Sequence, residues 1–321
     1  MTINRRTWLA GASAAVATLA SGSQLRADDK PELLPIVDTH QHLWDLDKFR
    51  LPWLGKDGDL SRNFVTSDYL AATEGLNVVK AVYMEVDVAE DQKELEAEHL
   101  IELAKQPNQP TVAAVVGCRP DSTEFGKYVR RYRDNSVIKG FRQVLQVGKF
   151  EEQFVKNLQL LGELDKSFDL CVPGKEVGET IKVVDACPDT RFILDHCGNA
   201  DVKAFLPAKR RGDHQPGHDV DAWKRSVEQL AKRERVICKI SGIVAGAPKD
   251  WKAADLAPIV NHCLDSFGPK RVVFGSDWPV CLKGATLKQW VTALKEVIAS
   301  RPLAEQRQLL SENAERLYRL S

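Results

Sequence analysis

Two histidines one residue apart follow an apolar run in the stretch IVDTHQHLW at residues 36–44. Side chains of an extended chain alternate between two faces, so His40 and His42 point to one side and Gln41 to the other. Two neutral imidazoles on one side can hold a divalent metal ion, or they can surround one substrate oxygen. Two polar residues at the start of a loop would give the same short pattern. Other parts of the sequence are therefore needed to distinguish a site from a loop.

Other polar side chains stand at or just after further apolar runs. They are Glu85, Arg119, Arg142, His196, Lys239, Ser241 and Asp277. This placement is typical of a barrel of parallel strands, whose carboxyl ends converge on one centre where residues distant in sequence can share a site. In such a barrel we expect Lys239 and Ser241 to satisfy interior hydrogen bonds. Glu85 could be a metal ligand, but we favour a buried ion pair with Arg119 or Arg142.

The elements that would position these residues repeat along the chain, with each apolar run followed by a longer amphipathic stretch. The runs cover residues 33–40, 78–86, 111–118, 137–144, 168–173, 191–198, 236–243 and 271–280. They are rich in β-branched residues and apolar throughout, as is typical of parallel strands covered on both faces. Helices are predicted over residues 91–106, 123–135, 154–167, 220–234, 255–267, 286–300 and in the C-terminal stretch. About eight such units predict an α/β fold, the (β/α)8 TIM barrel. A doubly wound sheet is disfavoured because no G-x-G-x-x-G follows the first run.

Two long loops, residues 43–66 and 197–219, would lie at the carboxyl face of this barrel, where such folds build their sites. Trp44, Phe49 and Trp53 either line a pocket or pack in the barrel mouth. His214 and His218 either close over the site or remain solvated. His99 and His262 fall on predicted helices, where a structural role is expected.

Composition excludes several classes of function. The chain has 321 residues, of which 43% are hydrophobic and 28% charged, and its net charge is +0. This balance supports a sizeable core and gives no electrostatic basis for nucleic-acid binding. No basic helix suggests binding to a membrane surface. The expected partner is a small-molecule substrate, and the oligomeric state is left open.

The first 27 residues predict an export signal. A twin arginine, Arg5-Arg6, precedes a mild apolar stretch from Trp8 to Ala20, and Leu25-Arg26-Ala27 fits a cleavage site of small residues. The stretch is too short and too rich in alanine and glycine to span a membrane comfortably. A disordered start or a retained anchor are the alternatives. We therefore expect a periplasmic protein with a single domain over residues 28–321.

Seven cysteines are an odd number for an exported protein. Five of them, Cys118, Cys171, Cys197, Cys238 and Cys281, lie in or just after strand-like runs, which predicts buried free thiols. The twin-arginine route exports proteins that have already folded in the cytoplasm, so reduced thiols and a metal ion loaded before export are both compatible with it. No disulfide framework is expected.

The chain resembles the amidohydrolase superfamily, specifically its family of barrel hydrolases that includes sugar-acid lactonases, 2-pyrone-4,6-dicarboxylate lactonase and related decarboxylases. The resemblance rests on VDTHQHLW, KGFRQV, ILDHCGNAD, CKISGI, VVFGSDWP and SENAERLYRL, which occur in family order over nearly all of residues 28–321. Each motif alone is weak, but the combination is specific.

The resemblance implies a role for each matching residue. His40 and His42 match the strand-1 histidines, which with Asp277 would hold one divalent metal ion, zinc or manganese. Asp277 matches the family's usual base for activating water, and His196 matches its strand-6 histidine. Arg142 matches a position that often contacts an anionic substrate group. We also expect His196 and Trp44 to contact the substrate.

One departure affects the metal site. Metal-dependent relatives usually supply a histidine after strand 5, whereas this chain has FDLCVPGKEV with Lys175 and Glu176. Strand 4 has no bridging ligand unless Lys139 serves. A binuclear site is therefore disfavoured, whereas a mononuclear site with Glu85 or His196 as a further ligand and metal-free catalysis both remain open. The expected activity is hydrolysis of a lactone or related cyclic ester by Asp-activated water, with a metal-dependent decarboxylase or a non-catalytic binding protein as alternatives.

Overall fold

Eight parallel strands pair in chain order in the computed structural model, which describes residues 33–145 and 150–320. The strands are β1 Ile36–Gln41, β2 Val78–Met84, β3 Thr111–Gly117, β4 Ile138–Val144, β5 Ser167–Cys171, β6 Arg191–Leu194, β7 Val236–Ile240 and β8 Val272–Phe274. Each lies within or beside one of the predicted apolar runs. The predicted export signal of residues 1–27 lies outside the described residues.

The sheet closes between its first strand and the segment that follows its last strand. The Asp277 amide donates to the His40 carbonyl over 2.8 Å, and the His42 amide donates to the Trp278 carbonyl over 2.7 Å. These two hydrogen bonds also bring the His40 and His42 motif next to the segment that contains Asp277. The (β/α)8 barrel predicted from the sequence is confirmed.

Helices connect the strands and cover the outside of the sheet. They are α1 Thr66–Thr73, α2 Lys93–Leu103, α3 Phe125–Arg130, α4 Glu152–Glu163, α5 Thr180–Ala186, α6 His196–Asn199, α7 Ala208–Arg211, α8 Val220–Ala231, α9 Ala253–Phe267, α10 Leu287–Ile298, α11 Leu303–Arg307 and α12 Asn313–Leu317. A π-helical turn, Gln308–Glu312, joins the last two. Among the described residues, no helix is both long and apolar enough to cross a membrane.

The barrel interior has its own small hydrophobic cluster, separate from the layer between sheet and helices. Strand residues such as Val37, Val82 and Ile237 pack there against Tyr318 and Leu320 from the C-terminal stretch. The C-terminal residues therefore close the amino end of the barrel, which leaves its carboxyl end for a site.

All seven cysteines are buried free thiols. This confirms the prediction made for the five in strand-like runs and extends it to Cys187 and Cys263.

Candidate active site

The two histidines of the first strand lie together at the carboxyl end of the barrel. His40 and His42 are both buried, and their ring centroids are 4.8 Å apart in an edge-to-face arrangement. Nδ1 of His42 lies 2.9 Å from the Met84 carbonyl oxygen. A carbonyl can only accept, so this nitrogen carries the hydrogen and Nε2 turns its lone pair to the pocket. The sequence-based expectation that both rings share one side is confirmed.

Asp277 faces these rings from the segment after β8. Its Oδ1 is 3.4 Å from Nε2 of His42 and 3.7 Å from Nε2 of His40. The backbone of Asp277 is left-handed, with φ of +57°, a conformation that aspartate and asparagine tolerate better than most residues. A Cβ at neighbouring Gly275 would lie only 2.7 Å from Cβ of His40. Glycine at that position therefore allows β1 and the Asp277 segment to approach closely.

His196 completes the group from the other side of the barrel. Its ring centroid is 4.4 Å from that of His40, and its Nδ1 is 2.9 Å from the Ser241 hydroxyl. A Cβ at Gly242 would lie 2.2 Å from this Nδ1, so the ring fits only because residue 242 is glycine. Burial lowers the pKa of His196 below its ordinary value, although the charge of Asp277 acts to raise it. The imidazole is therefore neutral near pH 7, as a ligand or hydrogen-bonding group requires.

Arg142 is held at the pocket floor by Glu85. Its Nε donates to Glu85 Oε1 over 2.7 Å and its Nη2 to the Glu85 carbonyl over 2.8 Å. Burial alone would raise the pKa of Glu85, but the charges of Arg142 and Lys93 hold it below its ordinary value. The expected buried ion pair is thus found, with Arg142 as the partner. The Glu85 contacts use two of the five N–H groups of the guanidinium, and Nη1 also lies 3.6 Å from Asp195 Oδ2, so Nη1 and the second N–H of Nη2 are the groups left to face a substrate.

Arg119, the alternative partner, pairs instead with Glu90 over 3.0 Å. Lys139, the possible bridging ligand, lies near the amino end of β4 and donates to the Arg319 carbonyl over 3.0 Å. That places Lys139 at the opposite end of the barrel from the histidines, so it bridges no metal ions.

The remaining residues singled out in the sequence lie apart from the histidine cluster. Lys175 follows β5 with an exposed side chain. His99 lies on α2 and His262 on α9, as predicted.

A fully buried charged group lies beneath the histidines. Lys239 Nζ is 2.7 Å from Asp169 Oδ2 and 2.9 Å from Asp195 Oδ1. Burial raises the pKa of Asp169 to about 7 even though the Lys239 charge opposes the shift. Burial alone would lower the pKa of Lys239, but the two carboxylates outweigh it and raise that pKa. Lys239 thus satisfies interior hydrogen bonds, as expected, and also lies 3.2 Å from Nδ1 of His40.

The donor atoms at the pocket floor fit a divalent metal ion. The candidate ligand atoms of His40, His196 and Asp277 all lie within 4.8 Å of one another. The lone pair of His42 Nε2 faces Asp277 Oδ1, another acceptor, at 3.4 Å. Two acceptors at this distance repel unless a cation lies between them, and two ligands of one tetrahedral zinc ion are about 3.3 Å apart. A second group, Cys171 with Asp195 and His196, also comes within 4.8 Å, but Lys239 and Arg142 already neutralise Asp195.

Above the floor lies a cavity of about 680 Å³. His42, Arg142, His196 and Asp277 line its base. Trp53, 44% exposed, forms part of the wall and donates from Nε1 to the Val86 carbonyl. Trp44 reaches the cavity with a largely buried ring, whereas Phe49 packs in the core. The tryptophans thus form part of a pocket wall, while Phe49 follows the packing alternative.

The second long loop supplies rim residues, of which the sequence had indicated only His214 as a possible lid residue. Asp201, Lys203 and His214 line the cavity there, and Asp87 and Lys283 line it from other loops. His214 Nε2 lies 2.7 Å from Asp201 Oδ2, and buried His218 accepts from the Asp201 amide. Neither histidine is freely solvated. The only sequence signal for this arrangement was the cluster of polar residues in GDHQPGHD.

Comparisons with known proteins identify the family and agree with the fold. The family model described as amidohydrolase matches residues 37–320. An L-fucono-1,5-lactonase of Burkholderia multivorans is 30% identical over 88% of this chain and 96% of its own length. A crystal structure of an amidohydrolase from Burkholderia multivorans with bound HEPES covers 89% of this chain and 100% of its own, with 26% identity and a TM-score of 0.75. A second crystal form of that amidohydrolase holds zinc and superposes with a TM-score of 0.76 at 24% identity, covering 89% and 100% of the two chains.

Proposed function

Because the chain belongs to the amidohydrolase family, we propose that it hydrolyses the ester bond of a lactone ring and that its substrate is a small polyhydroxylated sugar lactone. The observation that carries this is the Asp277 carboxylate, which lies at the base of the cavity beside the imidazoles of His42 and His196 and the guanidinium group of Arg142. A base, polarising groups and space for a ring thus share one pocket. The relative at 30% identity bears the name of an enzyme for such a lactone.

The residues divide the reaction between them. Asp277 accepts a proton from water, and the water oxygen forms a bond to the carbonyl carbon. Nη1 of Arg142 and the His196 ring are placed to stabilise the negative charge that develops on the carbonyl oxygen. The ring C–O bond then breaks, and Asp277 returns the proton to the leaving alkoxide. One water is consumed and the product is a hydroxy acid, which ionises in solution.

A divalent metal ion would be held by His40, His196 and Asp277, and His42 lies beside Asp277 as a further possible ligand. When bound, it supplies Lewis acidity that polarises a carbonyl group and acidifies water. Asp277 moves the proton and Arg142 orients the substrate oxygen with or without the ion, whereas His196 orients that oxygen only where it does not bind the ion.

The rim supports a polyhydroxylated substrate. Its side chains carry both signs of charge, since Asp87, Lys203 and Lys283 all belong to the lining. Carboxylates and ammonium groups hydrogen-bond to hydroxyl groups, whereas a strongly anionic substrate would suit a rim of one sign. Trp53 adds an apolar surface for a sugar ring face.

We also propose, from residues 1–27, that the protein is exported to the periplasm by the twin-arginine route. The twin arginine, the mild apolar stretch and the small-residue cleavage site support this. The buried free thiols are compatible with a chain that folds before it is exported.

The decisive experiment is acid release from a panel of sugar lactones by wild type and by Asp277→Asn. Asparagine tolerates the left-handed backbone, so the fold should survive while the base is lost. We expect kcat to fall by about 10²–10⁴-fold, the usual contribution of a positioned acid–base group. Asp189→Asn, an exposed change in the turn that precedes β6, is the matched control and should keep full activity.

Near-normal turnover by a folded Asp277→Asn variant would show that Asp277 is not the base that activates water. Release of carbon dioxide from a carboxylated substrate, with no lactone opened, would indicate a decarboxylase instead.

A further inference from the structure

A second cavity, with a volume of about 220 Å³, lies at the amino end of the barrel. Three neighbouring strands each bring a basic residue to its lining. Lys166 directly precedes β5, and the strand register places Lys139 of β4 and Arg191 of β6 on either side of it. Arg133, which follows α3, and Arg319 in the C-terminal stretch add two more basic side chains. This cavity therefore lies at the end of the barrel opposite the candidate active site.

The acidic residues of this lining do not balance its basic ones. Asp134 and Asp165 are the carboxylates among the described lining residues, so two acidic side chains share the cavity with five basic ones. Asp165 contacts Nη1 of Arg319 through Oδ2, and its Oδ1 lies 3.7 Å from Nη1 of Arg191. The cavity thus carries an excess of positive charge, and one carboxylate is divided between two arginines.

Several N–H donors in this lining have no acceptor. The Arg191 side chain is only 19% exposed, yet its 3.7 Å contact with Asp165 is too long for a hydrogen bond, and no other described residue accepts one from its guanidinium group. Lys166 Nζ donates to the Asn135 and Ile138 carbonyls over 3.0 and 2.7 Å, which leaves its third N–H. Lys139 Nζ donates to the Arg319 carbonyl over 3.0 Å, which leaves two.

The basic groups also act on one another. Burial and the charges of Arg319 and Arg191 lower the pKa of Lys139 below its ordinary value. Burial and the charge of Lys139 likewise lower the pKa of Lys166, although Asp165 acts in the other direction. Neighbouring like charges disfavour one another's charged form, and an anion among them removes that cost.

We propose that this cavity is a binding site for a phosphate group, either free phosphate or the phosphate end of a small monoester. The phosphate oxygens accept from Arg191, Lys139 and Lys166, whose N–H groups have no acceptor otherwise. A guanidinium group matches phosphate oxygens in pairs, and the ammonium groups add point charges. The cavity is enclosed between strand starts and the chain has a net charge of +0, which favours one small anion over a nucleic-acid chain. The site is independent of the activity proposed for the other end of the barrel.

Isothermal titration calorimetry of the full chain tests the site, with inorganic phosphate and glycerol 3-phosphate titrated separately at constant ionic strength. We expect one equivalent of phosphate to bind and Arg191→Gln to raise its Kd by about tenfold or more, because a hydrogen-bonded charge is lost. Arg225→Gln makes the same charge change at an exposed position on α8 and should leave the Kd unchanged. Equal binding of glycerol 3-phosphate would identify a monoester as an accepted ligand, and binding of inorganic phosphate alone would identify the free ion.

Asp165→Asn provides a test in the opposite direction. It removes the carboxylate that competes for Arg191 and Arg319, so the Kd for phosphate should fall by about threefold or more. Asparagine tolerates the positive φ of residue 165, which is 54°. If Arg191→Gln does not fold, Arg319→Gln changes an exposed side chain of the same lining and should also weaken binding.

Two results would overturn the proposal. One is the absence of binding of either ligand to the wild type at millimolar concentration. The other is phosphate binding that neither Arg191→Gln nor Asp165→Asn alters, as would be found for an anion bound in the candidate active site.

Discussion

At the scale of single residues, Glu96 is a carboxyl group with an unusual environment. It lies buried on α2, and its Oε1 accepts from the Tyr83 hydroxyl and the Val86 amide, each over 2.9 Å. Burial and the charge of nearby Glu85 raise its pKa to about 7. The folded protein therefore binds a proton at Glu96 that the unfolded chain releases near pH 4.5.

Glu96 makes folding stability depend on pH in a definite direction. Its raised pKa contributes stability that is complete below about pH 4.5 and is lost as pH rises through about 7. Glu96→Gln keeps an oxygen acceptor for Tyr83 and Val86 and cannot ionise. We expect the variant's free energy of unfolding, relative to wild type, to rise by up to about 3 kcal/mol from pH 4.5 to pH 7.5, by urea denaturation at several pH values.

Glu98 provides a matched control because it is exposed on the same helix. Glu98→Gln should leave the pH dependence of unfolding unchanged. If Glu96→Gln and Glu98→Gln show the same curve as wild type, the carboxyl of Glu96 is ionised throughout this pH range and the assigned shift is wrong.

The residue scale also shows what sequence alone could reveal. His40, His42, His196 and Asp277 were recognisable because each follows an apolar run, and barrel geometry brings such positions together. Asp169 and Asp195 were not, because each lies within a run that reads as the interior of a strand. Their pairing with Lys239 depends on the register of β5, β6 and β7, which no spacing in the sequence encodes.

At the scale of elements, Asp201 organises the rim segment that follows β6. Its Oδ2 lies 2.7 Å from His214 Nε2 and accepts from the Gly217 amide over 2.9 Å, while Oδ1 accepts from the Lys203 amide over 3.0 Å. Burial acts to raise the pKa of Asp201, but these donors hold it below its ordinary value. One carboxylate therefore ties residues 203, 214 and 217 together beside the cavity.

Asp201→Asn should loosen this segment. An amide NH2 in place of one oxygen cannot accept from His214 or Gly217, and hydrogen bonds to a charged group are worth about 1.5–3 kcal/mol each. The segment contains three basic residues on α7, Lys209–Arg211, where trypsin can cut once the segment opens. We expect tryptic cleavage there to be at least tenfold faster and KM to rise more than kcat falls, measured by limited proteolysis and steady-state kinetics.

Asp213→Asn, an exposed change in the same segment, should alter neither quantity. Cleavage of Asp201→Asn at the wild-type rate would show that other contacts hold the rim, and the assigned role of the carboxylate would be lost.

The elements also mark a limit of sequence reasoning. Strands and most helices were predictable because their apolar periodicity is strong. Their predicted ends differ from the observed ends by only a few residues. The turn at α6 was not, because His196, Cys197, Gly198 and Asn199 all have positive φ between 48° and 67°. Three of these are not glycine, and such backbone persists only where the surrounding structure holds it.

At the scale of the whole molecule, the closed barrel explains how seven thiols coexist in one chain. Every cysteine is buried and free, and the packing of the barrel around them requires no cross-link among the described residues. A chain of this kind is better folded in a reducing compartment, where no disulfide can form before the core closes. Transport in the folded state would then deliver both the reduced core and any metal ion acquired with it.

Export by this route depends on the twin arginine, which gives a sharp prediction. Replacing both residues, Arg5→Lys with Arg6→Lys, should keep the full-length protein in the cytoplasm, folded and active, because the barrel lies entirely beyond the signal. The wild type should be recovered from the periplasm with a mature chain beginning at Asp28, as read by cell fractionation and intact mass. Arg26→Lys, the third arginine of the segment, preserves the twin arginine and should be exported normally. A double variant that still reaches the periplasm, or a wild type that stays in the cytoplasm at full length, would rule out the proposed route.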